Sequence, residues 1–266
     1  GAIIVGRTLG TGALAAVATF LPVVFFFIAF LIGLSAGSSV MVGQAYGAGK
    51  MDVVQRIAGT ALTVALGLGL VVGLAGEMAA PAILDLLGVP ADIRLEAIAY
   101  ARAMFLTMPA LFLFILGASL LRGLGDTLRP LAIQALATAL SALLTWAMVE
   151  HTGLGVRGAA WGQGIAQFAG FVVLGLWLRA AGHPLAPTAA LARRLVPDWR
   201  LLLKVLRIGL PTGVQIVVGS LSALVIVGLV NGFGSQATAA YGAVSQVQNY
   251  VQFPALSIAI AASIFG

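Results

Sequence analysis

The sequence predicts an all-α, polytopic membrane helix bundle, and three observations carry that prediction. Of 266 residues, 61% are hydrophobic and 8% are charged, whereas a soluble domain is roughly 25% charged. Apolar runs long enough to cross a bilayer as a helix, about 20 residues each, recur along the whole chain. These runs are too long and too continuously apolar for the alternating strands of a membrane barrel. The mean hydropathy of +1.10 agrees. Too few charged side chains remain to coat a soluble enzyme, a nucleic-acid binder or a disordered tail. The absence of Cys excludes disulfides and thiolate metal sites.

The runs fall at 14–43, 57–76, 97–121, 130–149, 158–178, 208–230 and 237–265, after a stub at 1–6. The first and last exceed the bilayer and are expected to tilt, kink or project beyond it. The chain opens without a Met and closes inside an apolar run. It reads as part of a longer polytopic protein.

Loop charges set the orientation. With the loop at 44–56 cytoplasmic, that side holds Lys50, Arg56, Arg122, Arg129, Arg179, Arg193, Arg194, Arg200, Lys204 and Arg207 against Asp52, Asp126 and Asp198, a net +7. The opposite side holds Arg7, Arg94, Arg102 and Arg157 against Glu77, Asp85, Asp92, Glu96 and Glu150, a net −1. This follows the positive-inside rule. The loops at 44–56, 122–129 and 180–207 are therefore expected in the cytoplasm, and the chain in a bacterial inner membrane.

Residues 180–200 read as a linker, with Pro184, Pro187, Pro197 and two adjacent Arg. Asp198 is a candidate N-cap. Behind it Arg200, Lys204 and Arg207 lie opposite Leu201, Leu202, Val205 and Leu206. That amphipathic run either lies at the membrane interface or extends the next span. Residues 10–16 resemble 234–240 at an offset of 224, and both copies open a long span. A duplicated transporter follows, with an N-terminal lobe at 1–179, the linker at 180–200, and the start of a C-terminal lobe at 201–266.

Motifs sit at the span ends. Gly43-Gln44-Ala45-Tyr46-Gly47-Ala48-Gly49-Lys50 follows the first full span, and Leu121-Arg122-Gly123-Leu124-Gly125-Asp126-Thr127-Leu128-Arg129-Pro130 follows the third. Ile208-Gly209-Leu210-Pro211-Thr212-Gly213-Val214-Gln215 opens the run at 208–230, and Leu229-Val230-Asn231-Gly232-Phe233-Gly234 closes it. Small residues let helices approach and turn sharply. Pro130 suits a first helical turn, and Asp126 can cap that helix and pair with Arg122 or Arg129. The motifs read as structural hinges compatible with alternating access. Together they resemble the multidrug and toxic compound extrusion (MATE) family of cation-coupled antiporters, over nearly the whole chain. The resemblance implies twelve spans in two six-helix lobes around a central cavity. It implies monomeric export of amphipathic, often cationic small molecules in exchange for H⁺ or Na⁺, with no other cofactor. This chain would then hold the second to eighth spans.

Buried charge is the usual mark of an ion site, yet the span centres hold none. Glu77, Glu150 and Arg102 lie near span ends, so no coupling-ion site is assigned. Neutral polar stripes remain. Gln134, Thr138, Ser141 and Thr145 share one helical face, as do Gln163 and Gln167 in the next span. Gln215 stands in the seventh span, and Gln246, Asn249, Tyr250 and Phe253 share a face of the eighth. These faces either bond neighbouring helices or line a watery cavity. Met104 and Met108, at i and i+4, either wall a substrate cavity or pack as core. His151 and His183 lack ligand spacing, and the glycine-rich segment at 43–49 lacks the ending of a nucleotide-binding loop. No catalytic or metal site is expected. A lipid-linked-glycan flippase and a non-transporting subunit are the rivals. The flippase needs basic residues mid-span, and there are none.

Overall fold

The computed structural model describes residues 2–86, 89, 93–183, 185–186, 198–231, 248, 251–252, 254–255 and 258. These form helices α1 (Ala2–Thr8), α2 (Gly10–Gly47), α3 (Met51–Leu86), α4 (Arg94–Leu106), α5 (Met108–Gly123), α6 (Leu128–His151), α7 (Val156–Ala180) and α8 (Trp199–Asn231), and there is no strand among the described residues. The expected all-α bundle is therefore what the chain forms. Five of the helices are long and apolar enough to cross a membrane, and the bent pair α4–α5 makes a sixth. The eighth span expected at 237–265, with Gln246, Asn249, Tyr250 and Phe253, lies outside the described residues apart from isolated positions.

Two features differ from the linear reading. The span expected at 97–121 is broken at Thr107, where α4 and α5 meet at 47°. Pro109 sits in the first turn of α5, where its missing N–H withdraws a bond that would have joined the two helices. The Thr107 hydroxyl folds back to donate to the Met104 carbonyl at 2.8 Å. At the other feature, the amphipathic run after Asp198 and the seventh span are one helix of 33 residues, with Pro211 inside it. The extension reading of that run is the observed one. Likewise the glycine-rich motif is mostly helical, since α2 runs through Gly43 and Gln44 to Gly47.

Glycines decide the packing. Antiparallel α2 and α8 cross with their backbones in contact. A Cβ on Gly33 would stand 2.6 Å from the Gly209 carbonyl oxygen and 2.9 Å from Gly213 Cα, and one on Gly37 would strike the Val205 carbonyl. Only residues without side chains allow this approach. Gly69 and Gly73 of α3 do the same against the α4–α5 break, meeting Pro109 Cα at 2.7 Å and the Phe105 carbonyl at 3.0 Å. The core beneath is aromatic: Phe20 packs edge-on against Phe105 at 5.1 Å and Tyr100 at 6.1 Å. Leu70, Val71 and Leu74 of α3 and Leu136 and Leu143 of α6 face outward. That surface suits lipid, not water.

Candidate functional site

Charge segregates to the two ends of the bundle. At one end Arg56 of α3 pairs with Asp198 at 2.5 Å, and Arg129 of α6 pairs with Asp126 at 2.9 Å. At the other, Arg94 pairs with Asp85 at 2.7 Å and Arg102 with Glu77 at 3.6 Å. This is the division that the loop charges imply.

The basic end is tied across the chain. Asp198 accepts from the N–H groups of Arg200 (3.0 Å) and Leu201 (3.3 Å), capping α8 as its sequence position suggests. Its own N–H donates to the Thr60 hydroxyl of α3 at 3.2 Å. The Leu201 N–H, aided by Arg56 and opposed by burial, holds the Asp198 carboxyl below its usual range. One carboxylate thus ends a helix and fastens it to α3.

Two of the span-end motifs, 43–50 and 121–130, meet at this end as well. Gly43 faces the Gly123 carbonyl oxygen, 2.9 Å from where its Cβ would be, and Gly123 lies as tightly against Ser39. Gly125 takes φ +86° in the turn that ends α5. Asp126 accepts from the Arg129 N–H (3.3 Å) and its guanidinium (2.9 Å), and Arg129 stacks on Trp177 at 4.4 Å. Arg129, not Arg122, is the partner of Asp126. Pro130 is buried in the first turn of α6. Gln44 and Arg122 are exposed, and Gly47 has open space around it. Pro211 and Asn231 lie in α8, at its middle and its last position.

The polar stripe of α6 runs from surface to interior. Thr138 is exposed and donates to the Gln134 carbonyl at 2.8 Å, while the Gln134 amide approaches the Thr138 hydroxyl at 3.4 Å. Eleven residues after Gln134, Thr145 is buried, and its hydroxyl has no hydrogen-bond partner. The Gln167 amide oxygen of α7 is unpartnered too. Gln215 of α8 is exposed. Met104 and Met108 are buried at 3% and 0% exposure, inside the aromatic core. Sequence reasoning missed the Arg56–Asp198 tie, because nothing local links positions 142 residues apart. It also missed Thr60, an ordinary helical threonine by pattern. No group of His or acidic side chains among the described residues has metal-binding geometry.

Residues 2–147 match the MatE protein family. The whole chain is 40% identical to the probable multidrug resistance protein YoeA of Bacillus subtilis strain 168, covering 58% of that protein. Among solved structures, it is similar to a multidrug resistance MATE family transporter in its outward-facing conformation, with TM-score 0.84 and 24% identity over 96% of this chain and 56% of that one. For an inward-facing conformation the TM-score is 0.75, at 25% identity over 88% and 53%. The chain spans a little over half the length of these relatives.

Proposed function

This chain belongs to the MatE family, which matches more than half of its length, and from that premise we propose that it is part of a secondary antiporter exporting amphipathic, often cationic compounds in exchange for H⁺ or Na⁺. The observation that carries the proposal is the α2–α8 seam. Residues 1–179 and 201–266 act as parts of two lobes joined by 180–200, and the seam is where they touch. The basic end is the cytoplasmic one, as positive-inside charge requires. Closed there by glycine-on-glycine contact and by Arg56–Asp198, the lobes leave an outward-open arrangement. Inward opening separates α2 from α8 and breaks that ion pair. Ligand or ion binding shifts the balance only by its difference in affinity for the two states.

Substrate meets the polar face of α6, at half-buried Gln134 and exposed Thr138, and Gln215 of α8. Gln246, Asn249, Tyr250 and Phe253 belong to the same proposed cavity wall. Met104 and Met108 support it from the core and do not line it. The transporter works as a monomer in the bacterial inner membrane. No described span carries a charge at its centre to favour the flippase reading.

The test is dye efflux from a pump-deficient bacterium expressing the gene's full product, under imposed H⁺ or Na⁺ gradients. Gradient-dependent efflux of amphipathic cations is expected. Efflux of none of them under either gradient overturns the proposal.

A further inference from the structure

We propose that the crevice between α3, α5 and α7 holds one anionic phospholipid, with an acyl chain inside and the phosphate on Arg179. The crevice has a volume of about 320 Å³, within the range of small-ligand sites. Ala58 and Leu62 of α3, Gly117 and Leu120 of α5, and Phe171 and Val172 of α7 form its walls, and the rest of its lining is apolar too. Gly117 keeps it open: a Cβ there would already stand 3.3 Å from Leu174 and 3.5 Å from Phe171. Buried Leu185 closes the basic end, held by its N–H donating to His183 Nδ1 at 3.2 Å.

The lining decides the tail. A polar group inside would lose its hydrogen bonds without replacement, so the occupant of the crevice is hydrocarbon. The membrane supplies hydrocarbon as acyl chains. The mouth decides the headgroup. Arg179 follows lining Gly175 by four residues and Val172 by seven, so it continues the same face of α7, and it stands directly after Leu178, the last residue of α7 in the lining. It is exposed and has no ion-pair partner among the described residues. Arg122 follows lining Leu121. The carboxylate at this corner, Asp126, is engaged by Arg129. A guanidinium without a carboxylate is a natural phosphate ligand, and it repels an amphipathic cation.

The test is native mass spectrometry of the protein purified from membranes, exchanged into phosphatidylglycerol or into phosphatidylcholine with identical acyl chains. One retained phosphatidylglycerol per protein is expected at this site. Val172→Trp fills the crevice from a position that is 40% exposed, so the core stays intact. It should cut retention about tenfold, equivalent to about 1.4 kcal/mol. Arg179→Gln should abolish the preference for phosphatidylglycerol, while Arg200→Gln leaves it. A phosphatidylglycerol with a photoactivatable tail should label peptides of α3, α5 and α7. Retention unaffected by Val172→Trp, equal retention of both lipids by the unaltered protein, or labelling spread evenly around the bundle each overturns the proposal. If residues 187–197 fill the crevice, lipid binds only after their deletion, which overturns it as well. Lipid retention is read without any transport, so its failure is separate from a failure of efflux.

Discussion

The two ends of the bundle differ in one ion pair: beside the local Asp126–Arg129 pair, the basic end carries a long-range one, and the described pairs at the other end are all local. At the basic end, Arg56 and Asp198 are separated by 142 residues, and their pair joins α3 to the start of α8. At the other end, Arg94 and Asp85 are 9 residues apart and join the end of α3 to the start of α4. Arg102–Glu77 likewise stays within that α3–α4 hairpin. An exposed pair contributes little by itself in either place. The difference lies in what each pair connects. A local pair moves with its hairpin in any rigid-body motion, whereas a distant pair must break if the elements it joins part. In the proposed transporter, conformational change is therefore gated at the basic end and only braced at the other.

The largest effect should come from the backbone contact beneath the gate. Gly37→Leu drives a side chain into the Val205 carbonyl, and rigid backbone on both sides leaves no relaxation short of separating α2 from α8. Overpacking of this kind costs about 1–3 kcal/mol, and efflux should be abolished. Gly47→Leu, in open space on the same helix, should keep both folding and efflux. Thermal unfolding in detergent and dye efflux check the pair. Equal damage from both substitutions would show that the seam has no special role.

Next comes the gate itself. Asp198→Asn keeps an oxygen to cap α8 but removes the charge facing Arg56, whereas Asp198→Ala removes both. Because this chain has no cysteine, a Cys at Leu206 reports seam opening by its rate of thiol labelling. Labelling should rise several-fold in Asp198→Asn, and further in Asp198→Ala. Identical rates in all three proteins would reduce the ion pair to decoration. The Asp198 carboxyl titrates below its ordinary value, near 3.9 for a free Asp. Its contribution is thus complete above that pH and is lost only as the pH falls through the lowered value. Labelling should be flat between about pH 5 and 8.

A smaller effect belongs to His183. Burial, with Arg129 adding and Asp126 opposing, holds its imidazole below the usual value, about 6.5 when free. The folded state therefore disfavours the protonated ring. Stability is complete above the free value and falls as the pH drops toward the lowered one. Melting temperature should decline on acidification from pH 7 to 5, and His183→Gln should remove part of that decline. A slope unchanged by the substitution would place the titrating group elsewhere.

Much of this architecture was legible in the sequence because a bilayer leaves few choices. Runs of 20 apolar residues must be helical, which placed α6 and α7 to within two residues at each end, whereas α3 begins six residues before the expected run and ends ten after it. Gly69 and Gly73, four apart on α3, share the face that meets Phe105 and Pro109. Cap and turn chemistry is local too, so Asp126, Pro130 and Asp198 were readable. The break at Thr107 was not, since Pro109 suits a helix start as well as a kink. Nor was the partner of Gly33 and Gly37: helical spacing says that a face is bare, not what meets it. The stripe from Gln134 to Thr145 shows the same limit. Periodicity put four polar groups on one face, but packing against α7 buried Thr145 and left Thr138 exposed. Met104 and Met108 were equally ambiguous until the aromatic core closed over them.

The smallest expected effect is the most discriminating for the contrast between the two ends. Asp85→Asn removes the charge that Arg94 holds in a bidentate grip, at 2.7 and 2.9 Å, which is better geometry than Arg56 has with Asp198. If geometry alone fixed the importance of an ion pair, Asp85→Asn should disturb transport at least as much as Asp198→Asn. If connectivity fixes it, efflux and thiol labelling at position 206 should stay at their unaltered levels, because α3 remains joined to α4 at Phe105 and to α5 at Pro109 by its glycine contacts whatever happens at Asp85. The second outcome is the expected one. An increase in labelling at the seam on loss of Asp85 would mean that the two ends are coupled through α3, whose 36 residues run from one to the other, and that the gate is not confined to the basic end.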